Sequence, residues 1–182
     1  MKYKLLPFVF VVAFVAFTSL ACAGLTDAAD VEATPTTASN AVGASAANAY
    51  PFGTVVPVED MTFEVTGITR PADSIVAAAN VFNTAAKEGQ EYLFVTLRVT
   101  CEEPASQSCQ FSLLNFSIVE SDGSAYDAEL FIADVSDMLN DQEIAGGETL
   151  EGYLGFIIHQ AETDPVLMYE SFSQETFYMK VQ

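Results

Sequence analysis

Residues 92–100, YLFVTLRVT, carry the clearest structural signal in this chain of 182 residues, because apolar and polar side chains alternate through them. Successive side chains of an extended chain point to opposite faces, so a period of two predicts a β-strand. The aliphatic side chains on one face are Leu93, Val95, Leu97 and Val99. We therefore expect a central strand that buries this face in the core of the domain.

Shorter runs with the same alternation lie on both sides of this strand, at residues 61–67, 113–120, 148–159, 166–170 and 176–181. Their alternation predicts the inward side chains Met61, Phe63 and Val65, then Leu114, Phe116 and Ile118, then Leu150, Leu154, Phe156 and Ile158. Gly152 shares the inward face of its run and lets a neighbouring chain approach closely. Asp122-Gly123 is typical of a hairpin turn. Short strands at this spacing, without βαβ alternation, predict a mainly β fold, an immunoglobulin-like β-sandwich.

One segment between the first two runs has a helical period. Ile75, Ala78, Ala79 and Phe82 recur at the spacing of one helix face, so we predict a short helical insertion near residues 72–86. Residues 131–140, FIADVSDMLN, fit an irregular loop or a turn of helix. We expect one of these segments to cover the aromatic side chains on the outer faces of the strands, which are Phe94, Tyr153 and Tyr178.

Two stretches resemble a family of bacterial extracellular lipoproteins of unknown function. In residues 87–100, KEGQEYLFVTLRVT, a Gly-x-Glu-aromatic entry leads into the alternating strand. Residues 144–156, IAGGETLEGYLGF, are similar to the family's Pro-Gly-Glu followed by Gly-x-Leu-x-Phe, with Gly146 where proline is common. The resemblance covers residues 53–182 and implies the immunoglobulin-like sandwich of secreted mycobacterial immunoprotective antigens. The family has no established activity, so the resemblance assigns no functional residue.

The first residues of the chain have the layout of a lipoprotein signal peptide. Lys2 and Lys4 precede an apolar run at residues 5–17, and small residues lead into Cys22. We predict a signal peptide at residues 1–21, after whose removal lipid on Cys22 holds the protein to a membrane.

Two alternatives for this N-terminal segment stay open. Ser19 stands where a lipobox usually has leucine, so cleavage after Ala21 or Ala23 would instead give a secreted protein. A transmembrane helix is the other alternative, although the apolar run is shorter than the roughly 20 residues that a span requires. A lipoprotein and a secreted protein would both lie outside the cytoplasm.

A change of composition near residue 50 predicts the domain organisation. Residues 22–52 are rich in Ala, Thr, Ser and Asn, and such a segment buries too little apolar surface to offset its chain entropy. We predict a flexible tether at residues 22–52 and one immunoglobulin-like domain at residues 53–182, a length sufficient for a single core.

The charge balance excludes some classes of partner. The chain has six Lys and Arg against 25 Asp and Glu, and two of the six, Lys2 and Lys4, leave with the signal peptide. Nucleic acid is therefore excluded as a partner, because phosphate contacts need clustered basic side chains. Direct docking onto anionic lipid headgroups is disfavoured for the same reason.

The two remaining cysteines, Cys101 and Cys109, flank a polar loop of seven residues. In an exported domain such a pair is expected to form a disulfide. Zinc binding is disfavoured because a structural zinc site needs four ligands. A catalytic redox pair is disfavoured because the spacing is not Cys-x-x-Cys.

His159 is the one histidine of the chain, at the end of the predicted strand 148–159. A catalytic histidine needs a nucleophile and an orienting carboxylate. Glu162, Asp164, Ser171 and Ser173 follow it, but their spacing does not fix a geometry. We therefore interpret His159 as a structural or exposed side chain.

An acidic group is the best candidate for a metal site, since calcium prefers several oxygen ligands. It consists of Asp134, Asp137, Asp141 and Glu143. The spacing does not match an EF-hand loop, so we predict a solvated loop, with no metal and no cofactor.

These patterns predict a non-enzymatic, lipid-anchored extracellular module that binds another protein or an envelope component. The alternative is an extracytoplasmic hydrolase with a site built from His159 and loop carboxylates. A fold does not define a function, so the sequence alone leaves both classes open.

Overall fold

Antiparallel strands dominate residues 41–173 and 175–182, the parts of the chain that the computed structural model describes. They are β1 (Val56–Val58), β2 (Met61–Thr69), β3 (Gln90–Cys101), β4 (Ser108–Phe111), β5 (Phe116–Val119), β6 (Ala125–Asp127), β7 (Gln142–Ala145), β8 (Thr149–His159), β9 (Val166–Glu170) and β10 (Thr176–Lys180). The α-helix in these parts is α1 (Asp73–Ala79), and 3₁₀ turns cover Ala46–Asn48 and Leu113–Asn115. The predicted mainly β fold with a short helical insertion is confirmed.

Two four-stranded sheets form the sandwich. The first sheet has the order β1-β2-β3-β8, the second has the order β10-β9-β5-β6, and β4 pairs with β7 separately. Within the first sheet, Val99 of β3 lies opposite Phe63 of β2 on one side and Leu150 of β8 on the other. The strand with the clearest alternation therefore has neighbours on both sides.

The main core lies between the two sheets. The inward face predicted for β3 is confirmed, because its aliphatic side chains are 0% exposed: Leu93, Val95, Leu97 and Val99. Phe63 of the first sheet meets Phe116 and Tyr169 of the second, with ring centroids 5.4 and 5.0 Å apart. Aromatic pairs at such distances gain free energy beyond the burial of their area, so this cluster joins the sheets.

Gly152 lies on the inward face of β8, whose edge pairs with the chain around Asp137. A Cβ at this position would be 2.4 Å from the carbonyl oxygen of Asp137, closer than real Cβ atoms approach other atoms. That carbonyl accepts the N–H of Tyr153 at 2.8 Å, and the N–H of Leu139 donates to the carbonyl of Tyr153 at 2.9 Å. The predicted role of Gly152 in a close chain approach is confirmed.

A cover layer, made of α1 and the segments 80–86 and 130–138, lies on the outer face of the first sheet. Phe94 is 0% exposed although it points away from the main core, because the cover layer encloses it. Tyr153 stacks on Phe94 with ring centroids 5.6 Å apart and is half-buried. The expectation that these segments cover the outer aromatic side chains is confirmed for Phe94 and Tyr153.

Helix α1 is shorter than the predicted insertion and turns a different face inward. It ends at Ala79, so Phe82 lies beyond the helix and is 90% exposed. Val76 is the buried residue of the helix, whereas Ile75 is 42% exposed. The predicted helical insertion is therefore present, but the face that the spacing marks is not the face that the helix buries.

The last part of the predicted tether, residues 22–52, pairs with the domain. The N–H of Tyr50 donates to the carbonyl of Tyr178 at 2.8 Å, and the N–H of Tyr178 donates to the carbonyl of Gly43 at 2.9 Å. Among the described residues, backbone hydrogen bonds with the domain thus extend back to Gly43, before the predicted boundary. The predicted signal peptide and Cys22 lie outside the described residues. Within the described residues, no helix is long and apolar enough to cross a membrane.

Candidate functional site

The cover layer presents an apolar patch to solvent. The patch consists of Ile75, Val81, Phe82, Leu130 and Phe131, which are 42, 87, 90, 46 and 90% exposed. Single exposed apolar side chains are common on protein surfaces, whereas a group of them on adjoining segments marks a contact site. This patch is the candidate functional site.

Two asparagines hold the turn that carries Phe82 against the segment 130–138. The side chain of Asn83 donates to the carbonyl of Ala133 at 2.9 Å and accepts the N–H of Ala133 at 2.8 Å. Asn80 Nδ2 donates to Asp134 Oδ2 at 2.5 Å. These bonds hold the two segments next to each other, so the patch exists in the folded protein before any partner binds.

A cleft lies on each side of this junction. The first, of about 520 Å³, is lined by α1, by the loop from Asp134 and by Tyr153. The second, of about 690 Å³, runs between Lys87, β6 and the pair Leu130 and Phe131. Concave surface beside exposed aromatic side chains suits the binding of a protein segment.

Carboxylates surround the patch. Asp134 lines the first cleft, and Asp127 and Glu129 line the second, in which Lys87 supplies the opposite charge. Burial raises the pKa of Tyr92 beneath the cover layer, and the charge of Glu129 raises it further. The patch therefore combines apolar side chains with a negative rim.

The helical spacing does not reveal this patch, because it places Phe82 within a helix, whereas α1 ends at Ala79. The signal that marks it is local. Asn80 and Asn83 flank Val81 and Phe82, and asparagine favours turns because its side chain hydrogen-bonds nearby backbone. Two apolar residues between turn-forming asparagines are therefore placed at the tip of a turn.

His159 lies at the end of β8 and pairs with the buried Glu120. Glu120 Oε1 accepts the N–H of His159 at 2.7 Å, and Glu120 Oε2 lies 2.9 Å from His159 Nδ1. The hydroxyl of Tyr126 is 3.3 Å from the same nitrogen. The hydrogen bond and the charge of Glu120 raise the pKa of His159. The pair connects the ends of β8 and β5.

Three of the side chains considered as catalytic partners of His159 form hydrogen bonds elsewhere, namely Ser171, Ser173 and Glu162. The hydroxyls of Ser171 and Ser173 are 2.7 Å apart. The carboxylate of Glu162 accepts bonds from Ser121 and from the backbone N–H of Asp164. In the described part of the chain, the hydroxyl hydrogen-bonded to His159 is that of Tyr126.

The acidic group considered above as a candidate metal site is spread over separate elements. Asp134 belongs to the cover layer, and Asp137 pairs with β8 through its carbonyl. The carboxylate of Asp141 accepts the first N–H of the 3₁₀ turn Leu113–Asn115, and Glu143 lies on β7. Among the described residues, no three His, Cys, Asp or Glu side chains are grouped so that they could hold a metal ion.

Cys101 and Cys109 form a disulfide that joins the end of β3 to β4. Both cysteines are buried, whereas most of the loop 102–108 between them is exposed. The bridge therefore ties the first sheet to the β4–β7 pair at the edge of the domain.

Two packed antiparallel sheets with one short helix define a β-sandwich of the immunoglobulin-like class. The chain belongs to the DUF4352 family, a domain of unknown function, whose model matches residues 50–178. The resemblance to a bacterial family without an established activity is thereby confirmed. No curated protein matches the chain.

Solved structures share this fold at low sequence identity. The secreted protein MPT63 of Mycobacterium tuberculosis is 14% identical, with a TM-score of 0.55 over 72% of this chain and 97% of its own. The yjhA protein of Bacillus subtilis is 14% identical, with a TM-score of 0.54 over 73% and 99%. The candidate lipoprotein ycdA of Bacillus subtilis is 16% identical, with a TM-score of 0.52 over 71% of this chain and 38% of ycdA. At these identities the similarity shows the fold alone.

Proposed function

We propose that this protein is a non-enzymatic binding module, anchored outside the cytoplasm by lipid on Cys22, and that the apolar patch is its binding surface. The observation that carries the proposal is the 90% exposure of both Phe82 and Phe131 on two segments that Asn83 joins through hydrogen bonds to Ala133. Aromatic side chains that become buried supply much of the free energy of binding at protein interfaces. A preformed surface also loses little conformational entropy when it binds.

Three observations support a location outside the cytoplasm. The first 22 residues have the layout of a signal peptide that ends in a cysteine. The structural relative MPT63 is a secreted protein, and ycdA is a candidate lipoprotein. The disulfide between Cys101 and Cys109 suits an oxidising compartment.

The alternative function, an extracytoplasmic hydrolase, rests on the pair of Glu120 and His159. We favour the binding role because both carboxylate oxygens of Glu120 bind His159, one through the backbone N–H and one at Nδ1. This arrangement fastens two strands, and the hydroxyl beside it belongs to Tyr126, a weaker nucleophile candidate than an activated serine.

Substitution of Cys22 tests the anchor. Cys22→Ser should abolish incorporation of a labelled fatty acid and release the protein from the membrane fraction, because serine lacks the thiol that carries lipid. Ala23→Ser, which keeps the cysteine, is the matched control and should retain the label. Label that persists in Cys22→Ser would show that the anchor lies elsewhere.

Substitution of the two exposed phenylalanines tests the binding surface. Phe82→Ser combined with Phe131→Ser should weaken saturable binding of the intact protein to envelope fractions by at least about tenfold. Exposed substitutions change stability by less than about 0.5 kcal/mol, so the melting temperature should stay the same. Phe172→Ser is the control, since Phe172 is 86% exposed on the turn between β9 and β10. Equal affinity of the double variant and the wild type would contradict the proposal.

A further inference from the structure

We propose that the apolar patch binds a cationic amphipathic segment of another protein. In this complex, apolar side chains of the segment cover Phe82 and Phe131, and its Lys or Arg side chains meet the carboxylates of the rim. The inference rests on the proposed binding function and adds the chemistry of the partner.

The charges next to the patch select a cationic partner. Asp134 borders the cleft beside α1, and Asp127 and Glu129 border the cleft beside Phe131. Lys87 is the basic side chain among the residues that line these clefts. A segment that docks here therefore meets three carboxylates and one ammonium group, and complementary charge favours its encounter and its orientation.

The rest of the chain does not neutralise the negative charge of the rim, which consists of Asp127, Glu129 and Asp134. Four basic residues follow Cys22, against 25 acidic residues. Arg70 and Arg98 are paired with carboxylates of the first sheet, and Lys180 lies on β10 of the second sheet. The field around the patch is therefore negative at short and at long range.

The same field disfavours the other occupants of an apolar surface. A second copy of this chain brings the same excess of acidic residues, so self-association through the patch opposes like charges. A bilayer that contains anionic lipid repels the rim as well. A neutral apolar ligand gains nothing from the carboxylates, whereas a segment with alternating apolar and basic faces uses both features.

The shape of the surface fits a segment rather than a small molecule. Phe82 and Phe131 lie on two segments that are joined at Asn83 and Ala133, with clefts of about 520 and 690 Å³ beside them. An amphipathic helix that lies across such a surface places side chains at i, i+3, i+4 and i+7 on the apolar contacts. Its flanking basic side chains then reach the carboxylates that border both clefts.

Synthetic peptides of about 15 residues test the inference on the purified intact protein. The probe is an amphipathic helix of Leu and Lys. Its first control replaces every Lys by Glu, and its second replaces every Lys by Ser. Binding is measured by fluorescence anisotropy at about 50 mM and about 500 mM salt, since salt screens the contribution of the rim.

The expected result has three parts. The Leu and Lys peptide binds saturably, at least about tenfold more tightly than either control peptide. Phe82→Ser combined with Phe131→Ser reduces its affinity by at least about tenfold, and Phe172→Ser does not. Glu129→Gln reduces both the affinity and its salt dependence while the melting temperature stays the same.

The outcomes that overturn the inference differ from those that overturn the proposed function. Equal binding of the Lys and Ser peptides, lost in the Phe82 and Phe131 double variant, removes the cationic partner and keeps the patch as a binding surface. Peptide affinity that is unchanged in that variant removes the inference, whereas unchanged binding of the variant to envelope fractions removes the proposed function as well. Dimers that form with rising concentration in sedimentation and vanish in the same variant would assign the patch to a second copy of the chain. Vesicle binding that vanishes in this variant would assign the patch to a bilayer. Either result overturns the inference.

Discussion

Replacement of Phe116 by alanine should lower the free energy of unfolding by about 3–5 kcal/mol. Phe116 is 0% exposed, and its ring centroid lies 5.4 Å from that of Phe63, 5.7 Å from that of Phe111 and 5.1 Å from that of Tyr169. These rings come from both sheets and from β4, so a cavity at Phe116 removes contacts that hold three parts of the domain together. Since small domains are stable by about 5–15 kcal/mol, this single change removes a large fraction of the total.

Urea and thermal denaturation, followed by circular dichroism, measure this effect. At about 4 °C per kcal/mol for a domain of this size, the melting temperature should fall by roughly 10–20 °C. Phe172→Ala is the matched control, because the same atoms are removed from a side chain that is 86% exposed. Similar losses in the two variants would contradict a core centred on the aromatic cluster.

Glu162→Ala should have the second largest effect, a loss of about 2–4 kcal/mol. The buried carboxylate of Glu162 accepts four hydrogen bonds, from the N–H and hydroxyl of Ser121 at 2.8 and 2.6 Å and from the N–H groups of Thr163 and Asp164 at 2.8 and 2.6 Å. These bonds join the turn after β5 to the loop after β8. Removal of the carboxylate leaves its donors without partners.

The effect of Glu162 should depend on pH. Burial acts to raise the pKa of Glu162, but the hydrogen bonds from Ser121, Asp164 and Thr163 outweigh it and lower the pKa from 4.5 to about 2. A carboxyl group whose pKa is lower in the folded state stabilises that state above the pKa of the unfolded state. The contribution of Glu162 is therefore complete above about pH 4.5 and is lost as the pH falls towards 2.

Glu162→Gln tests this linkage because it keeps the shape of the side chain and removes its charge. The variant should be less stable than the wild type at neutral pH, and the difference should shrink between pH 4.5 and 2. Glu88→Gln, at an exposed position in the turn before β3, is the control and should track the wild type. If the free energies of unfolding of Glu162→Gln and the wild type differed by the same amount throughout this pH range, the stabilisation would not come from the charge of Glu162.

The strands could be predicted because their information is local. The alternation at residues 92–100 defines the inward face of β3 by the geometry of an extended chain, and the predicted run 166–170 coincides with β9. The same alternation does not predict that Phe94 is fully buried. Its cover comes from segments 80–86 and 130–138, which no local pattern assigns to that face.

Local patterns also mislead where a turn interrupts a strand. The run 113–120 predicts an inward Leu114, but Leu113–Asn115 forms a 3₁₀ turn, and Leu114 is 64% exposed. The interaction between Ser121 and Glu162 joins residues 41 positions apart, and no spacing in the sequence signals it. The apolar patch has the same origin, since the segments that carry Phe82 and Phe131 are joined by hydrogen bonds between Asn83 and Ala133, 50 positions apart.

Photocrosslinking in living cells tests most directly the claim that the patch is the binding surface. A photoreactive phenylalanine analogue replaces Phe131 in one protein and Phe172 in another, two side chains that are 90 and 86% exposed. If the patch is the binding surface, the analogue at position 131 forms a discrete crosslinked product with a second protein, and Phe82→Ser removes this product. The analogue at position 172 forms no such product. Products of equal yield at both positions, or a product at position 131 that persists with Phe82→Ser, would contradict the account.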